Sequence, residues 1–434
     1  MNDRADPLAQ GSTRWWILAF LSVMLFGNYY VYDAIGPLAD TLQQNLGFSD
    51  TQIGTLNAIY SLPNVFMVLI GGLLIDRYGP GRVALWTTGI CLLGAVLTAA
   101  RGDFVTMASG RLLFGIGAET MIVATTAALA LWFRSSHLAL AMALNVSIAR
   151  GGSYVADVSP VWARSLYEQG WQEPLMLAAA MAALSFVAAI LYWAREHKGV
   201  PPALAADGGA TERIVWRDVL RFDRSYWYIV ALCVLFYSVI FPFRSTFAIK
   251  YFQHAHGLDL DAAATINSYV FLAAVFITPI FGALVDRVGR RGLFMVFGSL
   301  LLPLSFIALL LPEWGLWLTT VLLGVSFSLI PAVLWPAVAL IVPAARLGTA
   351  YGLMTMIQAI GLTAANLIAG WLNDRAGAGV DNPDGYLPML FFFGGTALLA
   401  FVFAVLLWRR ETGPDGHGLE SARHTDAKPV PGPV

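Results

Sequence analysis

Two stretches of the sequence repeat one pattern, Gly72-Leu-Leu-Ile-Asp76-Arg77-Tyr-Gly79 and Gly282-Ala-Leu-Val-Asp286-Arg287-Val-Gly289. Each stretch follows an apolar segment that is long enough to cross a bilayer. The two copies are 286 − 76 = 210 residues apart, and Gly151 and Gly361 keep the same separation. A duplicated unit explains this spacing, and it predicts two similar halves that meet around a central site.

The composition of the chain is that of a membrane protein. Of its 434 residues 58% are hydrophobic and only 12% are charged, and the mean hydropathy is +0.68. A water-soluble protein of this size needs many more polar side chains to cover its surface. The net charge of −1 also excludes an electrostatic nucleic-acid binder, so lipid is the predicted surrounding of most of the surface.

Twelve apolar stretches predict an all-α integral membrane protein with twelve transmembrane helices in two pseudo-symmetric six-helix bundles. We expect an N-terminal bundle over 1–195, a polar linker over 196–225, a C-terminal bundle over 226–410 and a disordered tail over 411–434. The predicted spans are 15–40, 52–75, 83–101, 104–132, 138–163, 173–195, 226–250, 262–285, 293–311, 314–342, 347–372 and 386–408.

Lys and Arg lie mainly on one side of this predicted topology. Nineteen of them fall on the side of the termini and the linker, which we call the basic side. The opposite loops, on what we call the far side, hold only Arg101, Arg164, Arg375 and Lys250. The positive-inside rule therefore predicts that both termini and the linker are cytoplasmic.

Signals of an enzyme or a metal site are missing from the sequence. It has no GxxxxGK[ST] loop, no HExxH and no GxSxG, and Cys91 and Cys233 are too far apart to form a CxxC pair. His254 and His256 near Asp259 and Asp261 are more typical of a solvated loop than of a metal site. We therefore expect no enzymatic activity, no cofactor and no metal.

The repeated G-x-L-x-D-R-x-G pattern resembles the signature of the major facilitator superfamily. The first copy differs from that signature, because Pro80 and Gly81 precede the basic residue Arg82. The resemblance implies a transporter that works by alternating access. It also implies that the acidic and basic residues of the two loops hold a conformational gate, namely Asp76, Arg77, Asp286 and Arg287.

A second set of segments is similar to the lysosomal dipeptide transporters of that family. This resemblance implies a carrier of dipeptides that acts as a uniporter. The short loops and the Ala- and Gly-rich composition indicate a bacterial relative, located in the cytoplasmic membrane. The segments are Phe26-Gly-Asn-Tyr-Tyr-Val-Tyr-Asp33, Tyr60-Ser-Leu-Pro-Asn64, Gly110-Arg-Leu-Leu-Phe-Gly-Ile-Gly-Ala-Glu119, Ala149-Arg150, Phe241-Pro-Phe243, Ile266-Asn-Ser268, Leu334-Trp-Pro336 and Leu347-Gly-Thr-Ala-Tyr-Gly352.

Charged residues inside the predicted spans indicate function, because each costs at least about 2.5–3.5 kcal/mol near the membrane centre. Asp33 and Arg111 fall in the same half of the membrane, and we expect them to form a structural pair. Glu119 and Arg150 both reach the predicted midplane, where they would complement the ammonium and the carboxylate of a dipeptide. The alternative is that Glu119 and Arg150 neutralise each other.

Polar and aromatic residues at similar depth are further candidates for substrate binding, because a mostly apolar cavity with a few polar groups suits small ligands. They are Tyr29, Tyr60, Tyr237, Asn267, Trp335, Tyr351 and Gln358. Ordinary packing explains aromatic residues in spans equally well.

Two other functions fit the same sequence. One is a proton-coupled symporter of organic anions or other small zwitterions, with Arg150 and Arg244 as cations and Glu119 as the proton carrier. The other is a membrane receptor or scaffold that transports nothing and recruits a partner. An accessory subunit fits each of these functions, and no residue of the sequence points to its identity.

Overall fold

Helices make up nearly all of the computed structural model, which describes residues 13–133, 137–199, 222–311, 315–343 and 346–421. The N-terminal half begins with a span that continues through a 3₁₀ turn, Gly36–Leu38, into a second helix. Its helices are α1 Thr13–Asp33, α2 Ala39–Leu46, α3 Asp50–Ser61, α4 Asn64–Tyr78, α5 Pro80–Ala100, α6 Phe104–Phe133, α7 Leu138–Asp157, α8 Ser159–Trp162, α9 Arg164–Tyr167 and α10 Gln172–Gly199.

The C-terminal half also begins with a span in which the α-helical hydrogen-bond pattern is interrupted. A π-helical segment, Phe243–Phe247, follows Pro242 and leads into α12. The helices are α11 Arg224–Pro242, α12 Ala248–His256, α13 Leu260–Val288, α14 Arg291–Ala308, α15 Gly315–Ile341, α16 Leu347–Ala376 and α17 Leu387–Glu411, with a 3₁₀ turn at Pro383–Tyr386.

The predicted all-α membrane fold is confirmed. Ten helices in the described ranges are long and apolar enough to cross a membrane, and residues 50–78, which bend by 59° between Met67 and Ile70, bring the number to eleven if they are counted as one span. The remaining predicted span is α7, whose hydropathy is lowered by Asn145, Arg150 and Asp157. Large apolar side chains such as Phe66, Phe276 and Phe391 are exposed on the outer surface, as contact with lipid requires.

Helix packing shows the duplication directly. In the N-terminal half α1 packs on α7 and α10, and α5 packs on α6 and α10. The C-terminal half repeats these contacts, because α11 packs on α16 and α17, and α14 packs on α15 and α17. The halves meet where α7 packs on α13 and, symmetrically, where α16 packs on α3 and α4.

The two repeated stretches form the last turns of α4 and α13 and end at the glycine that follows each helix. Their last glycines, Gly79 and Gly289, have φ angles of +79° and +69°, which side chains with a Cβ rarely adopt. In the second copy Arg291 donates to Asp286 at 3.1 Å, while in the first copy Arg77 lies over the ring of Tyr78. These turns are on the basic side and do not reach the central cavity.

The tail differs from the prediction over its first residues. We expected disorder from Glu411, but residues 412–421 lie against the C-terminal half, and Leu419 is fully buried. The main chain of Leu419 accepts a hydrogen bond from the Arg291 amide at 2.8 Å, and Glu420 accepts one from the Leu293 amide at 3.2 Å. These bonds satisfy N–H groups at the start of α14, which have no partner within the helix. Residues 200–221 of the predicted linker and residues 422–434 of the tail lie outside the described residues.

Candidate functional site

A central cavity of about 350 Å³ lies between the two halves. The N-terminal half contributes side chains from α1, α3, α4, α6 and α7, and the C-terminal half contributes them from α11, α15 and α16. The lining residues are Tyr29, Tyr32, Tyr60, Ser61, Asn64, Glu119, Ile122, Val123, Arg150, Tyr237, Phe241, Trp335, Thr355, Gln358, Ala359 and Leu362.

Glu119 provides the only carboxylate of this lining. It lies on α6, which packs closely on its neighbours because Gly115 and Gly117 leave no room for a Cβ against the main chains of Tyr60 and Thr87. The Asn64 side chain donates a hydrogen bond from Nδ2 to Glu119 Oε1 at 2.7 Å. Glu119 therefore has a fixed position while part of its surface faces the cavity.

Arg150 provides the only guanidinium of the lining, and aromatic rings surround it. Its Cζ atom lies 4.9 Å from the ring centre of Tyr29 and 5.0 Å from that of Phe327. The rings of Phe271 and Phe241 are 5.5 and 5.8 Å away. Cation–π contacts stabilise the charge without neutralising it, and the buried Nη1 atom has no hydrogen-bond partner in the structure.

Glu119 and Arg150 face one cavity without forming an ion pair with each other. The ion pairs seen between described residues include no contact between them within 4.0 Å. The alternative that they neutralise each other is therefore not observed in this conformation. A positive and a negative group remain available to a ligand in the same space.

The other predicted binding residues fall into two groups. Tyr29, Tyr60, Tyr237, Trp335 and Gln358 line the cavity, and Trp335 Nε1 donates to the hydroxyl of Tyr237 at 3.1 Å.

Asn267 and Tyr351 are not in the lining. Asn267 donates to Asp157 at 3.3 Å and to the carbonyl of Arg244 at 3.2 Å. Tyr351 donates to the carbonyl of Trp335 at 2.9 Å and stacks on its ring, so it supports a lining residue from behind.

Arg244 joins the two halves beyond the far-side end of the cavity. It belongs to the C-terminal half and bonds to two carboxylates of the N-terminal half, at 2.8 Å to Asp33 and through Nη2 to Asp157. Its guanidinium also lies 3.5 Å from the ring centre of Phe271, the ring that contacts Arg150 as well. All three charged side chains are buried.

The predicted structural pair of Asp33 and Arg111 does not form. Arg111 instead donates to the carbonyl oxygens of Leu56 at 3.2 Å, Val31 at 2.9 Å and Tyr32 at 3.2 Å. Val31 and Tyr32 are at the end of α1, where carbonyls lack donors within the helix. Arg111 also bonds to the side chain of Asn57 at 2.5 Å. Its role in the structure is to tie α6 to the end of α1 and to the middle of α3, while Asp33 binds Arg244.

Further polar contacts close the far side between the halves. Lys250 bonds to Asp50, and Asn373 donates to the same carboxylate at 2.9 Å. His254 bonds to Asp40 at 2.8 Å through Nε2 and to the Tyr386 hydroxyl at 2.8 Å through Nδ1. Among the described residues, all ion pairs that join the two halves lie on the far side.

Sequence reasoning missed several residues of the site. Asn64, which donates to Glu119, belongs to the segment Tyr60-Ser-Leu-Pro-Asn64 but is not among the predicted binding residues. Phe271 and Phe327, which surround Arg150, look like ordinary apolar residues of a span. The 210-residue repeat does point to one pair of asparagines that act alike in the structure. Asn57 and Asn267 are 267 − 57 = 210 positions apart. Both asparagines bond to the main chain around Arg244 and Ser245.

The described residues contain no group of three metal-ligating side chains that would hold an ion. His254 is occupied by Asp40 and Tyr386, and His256 lies 3.3 Å from the Tyr251 hydroxyl. The cavity lining combines two groups of opposite charge with aromatic rings.

Comparisons with known proteins agree with this fold. The lysosomal dipeptide transporter MFSD1 of Bos taurus is 32% identical over 429 residues, which cover 93% of this chain and 90% of that protein. A probable sulfoacetate transporter of Cupriavidus necator is 24% identical over 84% of this chain and 89% of its own length. The solved structure of the nucleoside transporter NupG shares the fold with a TM-score of 0.73 at 14% identity, covering 90% of this chain and 99% of that one.

A model of the Major Facilitator Superfamily matches residues 21–251 and again residues 243–431, once for each half of the duplicated fold. This multi-pass membrane protein therefore belongs to the major facilitator superfamily, whose members carry small molecules across membranes.

Proposed function

We propose that this protein carries dipeptides across the membrane by alternating access. In this proposal Glu119 binds the ammonium group of the peptide and Arg150 binds its carboxylate. The halves rock about the cavity, and the far-side contacts of Arg244, Lys250 and His254 break and form again in each cycle. The loop residues Asp76, Arg77, Asp286 and Arg287 act as the gate on the basic side.

The observation that carries the proposal concerns the contact partners of the Arg150 side chain. A guanidinium inside a membrane-spanning bundle needs compensating partners, and Arg244 has two carboxylates. Arg150 has only aromatic rings around it and a buried Nη1 without a partner, although Glu119 lines the same cavity. A ligand with one cationic and one anionic end satisfies both groups at once, and a dipeptide has that form.

The relatives support the same substrate class. MFSD1 of Bos taurus, described as a lysosomal dipeptide transporter, matches this chain over nearly its whole length at 32% identity. The lining residues Tyr29, Tyr60, Tyr237 and Trp335 form a largely aromatic wall, which accommodates different peptide side chains without specific hydrogen bonds.

We further propose uniport, because the charged groups in and near the cavity balance without a proton. A zwitterionic peptide adds no net charge to a site that holds three guanidinium and three carboxylate groups. These groups are Arg111, Arg150, Arg244, Asp33, Glu119 and Asp157.

For the location we propose the cytoplasmic membrane of a bacterium, with both termini inside. The excess of Lys and Arg on the basic side supports this orientation, and the relative from Cupriavidus necator supports a bacterial setting.

A second candidate is the transport of an organic anion, which the unpartnered Arg150 and the 24% identity to a probable sulfoacetate transporter favour. Two features make it weaker than the dipeptide. Glu119 repels a second negative charge in the cavity, and Arg244 already binds two carboxylates.

The test is uptake of radiolabelled Ala-Ala by proteoliposomes that contain the full chain. Glu119→Gln and Arg150→Ala should each lower the initial rate at least tenfold, because each leaves one charged end of the peptide desolvated without a partner. Arg101→Gln serves as the matched control, since Arg101 is exposed in a far-side loop. Succinate and sulfoacetate are offered as competitors in the same assay.

Competition by the dipeptide but not by the two anions is the expected result. Uptake of Ala-Ala that survives both site substitutions, or competition by the anions alone, would show that the assignment is wrong.

A further inference from the structure

We propose that Asn64 is a second ligand of the substrate ammonium and sets the preference for a free amino terminus. This inference rests on the proposed function, since it concerns the Glu119 end of the same cavity. Asn64 would act in two ways, by fixing the position of Glu119 and by offering its own oxygen to the ligand.

The position of Asn64 follows from a break in the chain. Pro63 cannot donate a main-chain hydrogen bond, and α4 begins anew at Asn64 after α3 has ended at Ser61. The break leaves Asn64 at the cavity wall, with only 8% of its surface exposed. No side-chain bond caps the start of α4, so the amide is not used for the helix.

The orientation of the Asn64 amide is determined by its neighbour. An ionised carboxylate only accepts hydrogen bonds, so the NH₂ group must face Glu119, and the observed Nδ2–Oε1 distance is 2.7 Å. The Oδ1 atom is then directed elsewhere, and it is buried with no hydrogen-bond partner in the structure. Asn64 lines the cavity, and an acceptor that is buried beside a cavity without a donor costs free energy until it gains one.

A primary ammonium group is the donor that fits this pair. It has three N–H bonds, so one can reach Glu119 while another reaches Asn64 Oδ1. Acetylation removes the charge and leaves a single N–H, so an acetylated peptide cannot satisfy both acceptors. The two residues together would therefore reject a blocked amino terminus more strongly than Glu119 alone.

The experiment measures the affinity of purified full-length protein in nanodiscs for Ala-Ala and for N-acetyl-Ala-Ala by titration calorimetry. Asn64→Leu keeps a similar volume but removes both the donor and the acceptor. It should weaken Ala-Ala binding about tenfold or more and change N-acetyl-Ala-Ala binding little. The matched control is Asn145→Leu, because Asn145 is a buried asparagine outside the cavity that bonds to Ser22 at 3.1 Å.

A swap separates this role from a merely structural one. In Asn64→Asp combined with Glu119→Gln, the acid and the amide exchange places, so the pair keeps one carboxylate, one amide donor and one spare acceptor. The double variant should bind Ala-Ala more tightly than either single variant. Asn64→Asp alone places two carboxylates together, and its binding should improve as pH falls and one of them takes up a proton.

The outcomes distinguish the two proposals. If the wild-type protein binds no dipeptide, the proposed function fails and this inference fails with it. If the wild type binds Ala-Ala but Asn64→Leu keeps the same preference over N-acetyl-Ala-Ala, only the role of Asn64 is wrong. A swap variant that binds no better than the weaker single variant would also overturn it.

Discussion

Three arginines in the membrane-spanning helices have three different kinds of partner. Arg111 donates to main-chain carbonyls, Arg150 lies among aromatic rings, and Arg244 binds two carboxylates. The first two arrangements leave the positive charge without a carboxylate, and only that of Arg150 faces the cavity. The surroundings of each guanidinium thus separate a structural tie, the group that we propose to bind the ligand and a contact between the halves.

At the residue scale, Arg111→Met should lower thermal stability without reducing the affinity for substrate. The substitution leaves the carbonyls of Val31, Tyr32 and Leu56 without this donor, at about 1–3 kcal/mol for each buried group that finds no other partner. The thermal midpoint of purified protein in detergent measures the effect. Arg101→Met, at an exposed position, should change the midpoint little, and equal midpoints for both variants would contradict the structural role.

At the scale of elements, residues 243–256 act as one unit of the far-side contact. This segment follows Pro242, includes the π-helical turn and α12, and carries Arg244, Lys250 and His254. Each of these side chains bonds to a carboxylate of the N-terminal half. Gly36 lies against the main chain of Ser245, where a Cβ would come within 2.8 Å of the carbonyl oxygen. The two halves therefore approach closely along this segment.

Lys250→Met should open the far side, because it leaves the buried Asp50 carboxylate without its cation. Loss of one partner of a buried ion pair costs about 3–5 kcal/mol, whereas removal of both partners costs much less. Spin labels at the loop positions Asp103 and Val380, with both cysteines replaced, report the distance between the halves. The single variant should raise the population of long distances at least tenfold, and Asp50→Asn with Lys250→Met should return it toward the wild type.

Arg164→Gln is the control for that measurement. Arg164 forms an exposed ion pair with Asp261 between the same halves, at 3.6 Å, and such pairs contribute at most about 1 kcal/mol. An equal effect of this control and of Lys250→Met would contradict a special role for the buried pair.

The contact between the tail and α17 should depend on pH. His417 bonds to Glu411 through Nδ1 at 3.0 Å, and this hydrogen bond raises the pKa of His417 above its ordinary value of 6.5. The stabilisation is therefore complete below that ordinary value and is lost as pH rises through the raised pKa. Hydrogen exchange of residues 412–421, corrected for the intrinsic rate, should show less protection at pH 8.5 than at pH 6.

His417→Gln should remove this dependence, because glutamine does not take up a proton in that range. Protection that still falls by the same amount in the variant would assign the pH effect to another group.

For the molecule as a whole, polar contacts close the far side, and the cavity with Glu119 and Arg150 lies between two related halves. Uniport predicts that an imposed proton gradient changes the initial rate of Ala-Ala uptake by less than about twofold. It also predicts that the peptide never exceeds its external concentration inside proteoliposomes. Accumulation above that level, abolished by a protonophore, would establish proton coupling instead.

The membrane fold and the duplication can be read from the sequence, and so can the prediction that Glu119 and Arg150 lie at one depth. Span length and hydropathy are local properties of the chain, and the 210-residue repeat needs no structure to be seen. The tail is an exception, because a polar composition does not show that Leu419 and Glu420 will bond to the start of α14.

The partners of the charged residues inside the spans are visible in the tertiary structure alone. Asp33 and Arg111 share a depth, yet Asp33 binds Arg244, which is 211 positions away in the other half. Depth along a span is readable from sequence, but the direction of a side chain around the helix axis and the packing of the halves are not. That packing surrounds Arg150 with aromatic rings from both halves and leaves it, with Glu119 and Asn64, facing the cavity.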